Sequence, residues 1–256
     1  MRDRADDPGV RMGEAGPSGE GRGRLGGVLS GVAVALGCVL FLGGFAWGAV
    51  LYQPYTVPTD SMAPTVKADS RVLAERIDGD EVRRGDVVVF QDKVWGSVPM
   101  VKRVVGVGGD RVACCDPEGR LTVNGKSVEE PYLGSRGREG QRPFERTSVP
   151  PGRLFLLGDN RSDSVDSRAH LADAAHGAVP RSAVEARVDA VAWPAGAVGM
   201  LPGAQGFAAL PGGTSQQGPL RLIGIAVVAG FVLILGGAAY GPVARRLTSS
   251  SRSRSG

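Results

Sequence analysis

Residues 85–90 read GDVVVF and residues 101–107 read VKRVVGV, and these two Val-rich runs decide the fold class. Each is short and lies beside glycine and aspartate turn residues, a pattern typical of buried β-strands. Residues 121–125 (LTVNG) add a strand that ends in the hairpin dipeptide Asn-Gly, and residues 154–157 (LFLL) add another. The sequence therefore predicts a mainly β domain of antiparallel sheets over residues 53–193.

Two uncharged runs flank this domain. Residues 25–52 hold no charged residue over 28 positions, and residues 222–240 hold none over 19. A bilayer core of about 30 Å needs about 20 helical residues, so both runs are predicted to be transmembrane helices. Two alternatives stay open: Ala46-Trp47-Gly48 has the small-x-small pattern of a signal-peptide cleavage site, and the second run is also compatible with a buried core helix.

The distribution of charge predicts the topology. A net charge of +4 suggests a nucleic-acid partner at first, but residues 52–220 carry a net charge of −1. The excess lies in Arg221 and the four arginines after residue 240, so no nucleic-acid partner is predicted. Arginines before the first run and after the second place both termini in the cytoplasm and residues 53–221 outside it, by the positive-inside rule.

The rest of the chain is predicted to be tails and connections. Residues 1–24, rich in Gly, Arg and acidic residues, are expected to form a disordered cytoplasmic tail. Residues 194–221 are rich in Gly, Pro, Ala and Gln, which is typical of a flexible linker. Residues 134–148 are expected to form a mobile loop, and residues 241–256 a basic cytoplasmic tail.

Histidine and cysteine offer little chemistry. His170 and His176 do not have the spacing of a zinc-binding HExxH motif, so no metal site and no cofactor are predicted. Cys38 lies inside the first apolar run. Cys114 and Cys115 are adjacent, and a vicinal disulfide, two free thiols and intermolecular pairing all stay open.

A serine and a lysine are the better candidates. The chain has only four lysines against 26 arginines, and Lys102 lies in the apolar run MVKRVV at residues 100–105. Burial there would lower its pKa and let it act as a base, although an outward-facing strand residue is the simpler interpretation. Ser61 lies in VPTDSMAPT at residues 57–65, where two prolines restrict the backbone. Taken alone, this segment is equally compatible with an ordinary linker.

Four segments then occur in a fixed order after the first apolar run: residues 61–65 (SMAPT), 84–88 (RGDVV), 102–110 (KRVVGVGGD) and 158–168 (GDNRSDSVDSR). This set resembles the boxes of bacterial type I signal peptidases, over about residues 57–193. The resemblance implies a membrane-bound serine endopeptidase of the cytoplasmic membrane, with its catalytic domain on the outer face.

The resemblance also implies roles for six residues. Ser61 is the nucleophile, and Lys102 is the general base that later protonates the leaving amine. Thr59 supplies an oxyanion-hole hydroxyl beside the backbone N–H of Ser61, Ser164 orients the lysine, and Asp166 and Arg168 form a supporting ion pair.

The implied substrates are secretory preproteins with small residues at positions −3 and −1, bound as an added strand. The residues expected to line the substrate pockets are Val57, Pro58, Met62, Val66 and Val101. Membrane lipid and the protein-export translocon are expected partners. Two departures from the family pattern stand out: Asp60 lies where glycine is common, and residues 170–175 are inserted.

Two other hypotheses remain. One is a self-cleaving repressor with a Ser/Lys dyad, which the two apolar runs and the lack of a DNA-binding segment disfavour. The other is a non-catalytic, membrane-anchored β-domain that binds secretory proteins, which the presence of both Ser61 and Lys102 disfavours.

Overall fold

The computed structural model describes residues 20–96 and 98–252, in which the β-strands lie between two long helices in sequence. The strands are β1 (Tyr52–Val57), β2 (Ser70–Arg76), β3 (Val87–Phe90), β4 (Met100–Val107), β5 (Arg111–Cys114), β6 (Leu121–Val123), β7 (Lys126–Ser127), β8 (Phe144–Ser148), β9 (Arg153–Leu157), β10 (Ala178–Pro180), β11 (Val184–Trp193) and β12 (Gly199–Met200). The helices are α1 (Glu20–Leu51), α2 (Gly134–Glu139) and α3 (Leu220–Arg252).

The strands form two antiparallel sheets. The larger has the order β1-β2-β11-β3-β4-β9-β10, with β12 paired to β11, and the smaller has the order β7-β6-β5-β8. The predicted mainly β fold with an apolar helix on either side in sequence is therefore confirmed. Strand β8 lies inside the segment 134–148, which the sequence predicts to be a mobile loop, because it pairs with β5 through Cys114 and Phe144.

The two Val-rich runs lie at the centre of the larger sheet. All four residues of β3 are buried, and six of the eight residues of β4 are buried. Burial on both faces explains why these runs do not alternate between apolar and polar residues. It also means that a charged side chain on β4 is enclosed whichever face it points to.

The two long helices contain candidate membrane spans, Gly26–Leu51 and Leu220–Tyr240, by length and composition. They pack together through small residues: a Cβ atom at Gly37 would lie 2.8 Å from the Gly230 carbonyl oxygen, and the Ser30 hydroxyl donates to the Gly237 carbonyl at 2.6 Å. Such close backbone approach is common between apolar helices. Helix α1 begins at Glu20, inside the tail predicted to be disordered, and helix α3 continues to Arg252, inside the predicted basic tail. Residues 1–19 and 253–256 lie outside the described residues.

The first span ends one residue earlier than predicted. Tyr52 begins β1, its side chain is only 6% exposed, and its hydroxyl donates to Asp189 at 2.8 Å. The Tyr52 side chain is thus packed in the β-domain.

Part of the segment predicted to be a flexible linker, residues 194–221, packs into the core instead. Phe207 is 0% exposed and Leu210 is 5% exposed, and both join the core cluster that contains Leu133 and Phe155. The segment is also held by Arg84, whose Nη1 donates to the Pro211 carbonyl at 2.6 Å. The β-domain therefore extends beyond residue 193.

Replacing Phe207 with alanine is expected to destabilise the domain by about 3–5 kcal/mol, because it leaves a cavity in a closed core. The measurement is urea-induced unfolding of the full chain in detergent. Val198, in the same segment but 61% exposed, supplies the control, and Val198→Ala should change stability by less than about 0.5 kcal/mol. Equal effects of the two substitutions would show that the segment is not docked.

Candidate active site

Lys102 lies in the middle of β4, opposite Val88 of β3, and is 5% exposed. The simpler interpretation of the sequence, an outward-facing lysine, does not describe this structure. Burial lowers the pKa of Lys102 to about 8, against the opposing effect of the negative charges of Asp166 and Asp159. A lysine with this pKa is neutral in roughly a tenth of the molecules at neutral pH, whereas an ordinary lysine is almost wholly protonated.

Ser61 lies in a single turn of 3₁₀-helix, Asp60–Met62, that follows β1. Its Oγ lies 2.8 Å from Lys102 Nζ, so the structure brings together two residues that are 41 positions apart. The Ala63 N–H donates to the Asp60 carbonyl at 2.9 Å and the Val66 N–H to the Met62 carbonyl at 2.9 Å. These bonds stabilise the backbone of the turn that carries the serine side chain.

The two residues before Ser61, Thr59 and Asp60, both have polar partners. The Thr59 hydroxyl lies 3.2 Å from Ser61 Oγ. Asp60 accepts the Ala68 N–H at 2.8 Å through its carboxylate. Asp60 therefore ties the turn that contains Ser61 to the loop that leads into β2.

Asp166 and Arg168 form the predicted ion pair. Arg168 donates through Nε and Nη2 to the two carboxylate oxygens of Asp166, at 2.8 and 2.7 Å. Asp166 also accepts the Gly158 N–H at 3.0 Å. Burial acts to raise the pKa of Asp166, but the hydrogen bonds and charge of Arg168 outweigh it, so that the pKa lies below its usual value. A carboxylate held ionised in this way is one of the charges that favour protonated Lys102.

Ser164 lies against the same turn. A Cβ atom at Gly158 would collide with both the Ser164 hydroxyl and the Ser61 carbonyl oxygen, so only glycine fits between them. The Ser164 hydroxyl is buried and makes no hydrogen bond of good geometry to the described residues, although it faces Asp166 closely enough to help keep that carboxylate ionised. Its orienting role toward Lys102 stays a prediction.

A buried ion pair that no sequence pattern predicts lies next to the pair of Ser61 and Lys102, which we call the dyad. Arg103, 1% exposed, donates through Nε and Nη2 to Asp159, 0% exposed, at 2.8 and 2.7 Å. Asp159 also accepts the Thr65 hydroxyl at 2.6 Å, and Arg103 donates to the Gly85 carbonyl at 2.8 Å. The pair therefore connects the lysine strand to the loop after Ser61.

Further ion pairs hold the surrounding loops. Arg161 pairs with Glu130 at 2.6 Å, and both side chains are almost fully buried. Arg84 donates to Asp110 through Nε at 2.7 Å, which joins two of the family-like segments. The two residues of the Arg161–Glu130 pair lie 31 positions apart in the chain, and those of the Arg84–Asp110 pair lie 26 apart. No local sequence pattern therefore predicts these ion pairs.

A cavity of about 140 Å³ adjoins the dyad, and Ser61 and Lys102 are part of its wall. Three of the five residues predicted to line the substrate pockets line it: Val57, Pro58 and Val101. The other two, Met62 and Val66, are 0% and 1% exposed and pack in the core cluster with Val57 and Val101. They support the cavity wall in this structure and do not reach its surface.

His170, Cys114 and Cys115 lie outside the candidate site and contact other residues. His170 stacks on Trp95 with ring centroids 4.5 Å apart, and its Nδ1 lies 2.9 Å from Asp173. Cys114 and Cys115 form a vicinal disulfide, which selects one of the three states left open by the sequence. Within residues 20–96 and 98–252, no group of three or more His, Cys, Asp or Glu side chains could hold a metal ion.

Comparison with known proteins identifies the family. Residues 29–193 match the family model described as signal peptidase, peptidase S26. Signal peptidase I of Mycobacterium tuberculosis is 32% identical over 192 residues, which cover 56% of this chain and 65% of that protein. Signal peptidase I U of Bacillus subtilis is 38% identical over 128 residues, 46% of this chain and 66% of that protein.

A solved structure is also similar in sequence. The crystal structure of a signal peptidase I from Enterococcus faecalis is 30% identical and covers 41% of this chain and 94% of that chain, with a TM-score of 0.35. The matched region of this chain spans just under two thirds of the length of the M. tuberculosis and B. subtilis relatives. The family model, in contrast, matches well over half of this chain, and the chain belongs to the peptidase S26 family of signal peptidases.

Proposed function

We propose that this chain is a membrane-bound serine endopeptidase that removes signal peptides from secreted preproteins, with Ser61 as nucleophile and Lys102 as general base. The observation that carries the proposal is the distance of 2.8 Å between Lys102 Nζ and Ser61 Oγ, in a site that buries the lysine. This distance is within reach for direct proton transfer.

The proposed reaction has two halves. Neutral Lys102 takes the Ser61 proton as Oγ attacks the scissile carbonyl, and the resulting ammonium gives that proton to the leaving amine, which leaves an ester on Ser61. A water molecule then loses a proton to Lys102 and attacks the ester, and the proton returns to Ser61 Oγ as the new carboxyl end of the signal peptide departs. The Thr59 hydroxyl and the Ser61 N–H would stabilise both oxyanions, and one such donor contributes about 3–4 kcal/mol.

The cavity beside the dyad supports a preference for small residues at positions −3 and −1. Its volume is about 140 Å³, and Val57, Pro58 and Val101 give it an apolar wall. Among the described strands of the larger sheet, β1 pairs only with β2, so its other edge is available for an extended substrate to add as a strand.

The membrane arrangement is part of the proposal. Spans Gly26–Leu51 and Leu220–Tyr240 would anchor the chain in lipid of the cytoplasmic membrane. The arginines outside these spans favour cytoplasmic termini and an extracytoplasmic peptidase domain. Preproteins emerging from the export translocon would meet the enzyme on that face.

The pH dependence of cleavage tests the proposed function. Neutral Lys102 is the competent form and its pKa is lowered to about 8, so kcat/KM should fall about tenfold for each pH unit below about 8 and level off above it. The measurement uses the full chain in detergent and a preprotein with alanine at −3 and −1. The same preprotein with phenylalanine at both positions should not be cleaved. An acidic optimum, near pH 5, would contradict a lysine base.

A further inference from the structure

A second cavity, of about 300 Å³, shares a loop with the candidate active site. Its wall includes Arg142, Phe144, Ser162, Ser164, Arg168 and Leu171. None of these residues lines the cavity that contains Ser61 and Lys102, so the two cavities are separate features of the β-domain.

This second cavity lies next to the backbone of the nucleophile. Ser164 is part of its wall, and only Gly158 separates the Ser164 hydroxyl from the Ser61 carbonyl oxygen. That carbonyl accepts the Asn160 N–H at 3.0 Å, and Asn160 in turn accepts the Ser162 hydroxyl at 3.0 Å. The loop that holds the Ser61 turn thus continues directly into the cavity wall.

The cavity carries one basic group without an acidic partner. Arg161 and Arg168 also line it, but they are paired with Glu130 and Asp166 at 2.6 and 2.7 Å. Arg142 is exposed and donates to the Ser162 carbonyl at 3.4 Å, and it makes no ion pair with any carboxylate of the described residues. Phe144 and Leu171 supply an apolar surface beside it. A guanidinium beside an apolar surface is suited to bind a carboxylate on a short aliphatic side chain, as in Asp or Glu.

We propose that this cavity binds the first residues of the mature protein, after the scissile bond, and that Arg142 selects an acidic side chain there. The inference rests on the proposed function. The apolar cavity at Ser61 is suited to the small residues before the bond, and the polypeptide must continue from Ser61 past a different surface. Ser164 in the wall of the second cavity is separated from the Ser61 carbonyl by Gly158, and Arg142 gives that wall a basic group.

The test varies the substrate and Arg142 together. Preproteins that are identical except for Glu, Gln or Lys at each of the first three mature positions are cleaved by the full-length enzyme in detergent. At one or more of these positions, wild-type kcat/KM should favour Glu over Lys by about tenfold, as expected for a charge-assisted hydrogen bond. Arg142→Gln should remove this preference, and Arg142→Glu should reverse it.

Arg146→Glu is the matched control, since it makes the same change of charge at an exposed position of β8 outside the cavity wall. It should keep the wild-type preference. Equal cleavage of Glu and Lys substrates by the wild type, or an unchanged preference in Arg142→Gln, would overturn the assignment of Arg142 while leaving the peptidase activity established. Absence of wild-type cleavage of every substrate would instead overturn the proposed function, and this inference with it.

Discussion

Replacing either Ser61 or Lys102 with alanine should abolish preprotein cleavage, with a loss of about 10⁴-fold or more in the single-turnover rate. The two losses should be similar and should not add in the double variant, because the proposed nucleophile and base, 2.8 Å apart, would act as one unit. Lys102→Arg is the more informative change. It retains a positive charge and an apolar stem, but arginine does not deprotonate in proteins, so this variant should be as inactive as Lys102→Ala.

Lys126, exposed on β7, provides the control for lysine loss, and Lys126→Ala should cleave at the wild-type rate. A second readout is labelling by a hydroxyl-directed acylating probe, followed by peptide mapping. The wild type should carry the label on Ser61, Lys102→Ala should label far more slowly, and Ser61→Ala should not label at that peptide. Full activity of Lys102→Ala would refute the dyad. Activity lost in Ser61→Ala alone would assign the base to another group.

The features that could be predicted from the sequence are those with a local signature. The Val-rich runs indicate strands because their residues are short, apolar and β-branched, and the charge-free runs indicate spans by length alone. Ser61 and Lys102 lie 41 positions apart, and neither local context distinguishes them from ordinary residues. The order of the four family-like segments predicts that Ser61 and Lys102 act together. The structure then places the two side chains within hydrogen-bond reach.

The features that were missed depend on contacts between distant segments. Arg103 and Asp159 are 56 positions apart, and no local pattern around either residue predicts an ion pair. The segment around Phe207 has few large apolar residues and no periodicity, so its composition is that of a linker. Its docking depends on close backbone approach, as at Gly206, where a Cβ atom would collide with the Glu129 carbonyl oxygen. Composition does not report such a fit.

Asp159→Ala should destabilise the β-domain by about 3–5 kcal/mol, because it leaves Arg103 as an unpaired charge that is 1% exposed. Burial acts to lower the pKa of Arg103, and in the intact protein the charge and hydrogen bonds of Asp159 outweigh it. Without Asp159 the guanidinium still keeps its proton, because arginine does not deprotonate in proteins, so the cost of the buried charge remains. Removing both charges should be far less harmful. Arg103→Met combined with Asp159→Leu should recover much of the loss, since apolar groups of similar volume can replace a buried pair. Urea-induced unfolding of the full chain in detergent measures all three.

The same fold contains an exposed pair for comparison. Arg120 and Glu129 are 2.8 Å apart, with side chains 34% and 65% exposed, and Glu129→Ala should leave the unfolding midpoint nearly unchanged. Measuring cleavage activity distinguishes two roles of the Arg103–Asp159 pair, stabilising the fold and positioning the dyad. Because Asp159 accepts the Thr65 hydroxyl and Arg103 adjoins Lys102, the double apolar variant should fold yet lose cleavage activity through a misplaced Ser61 turn. If that variant regains both stability and full activity, the pair does not position the dyad. If Asp159→Ala costs no more than Glu129→Ala, Arg103 is not enclosed.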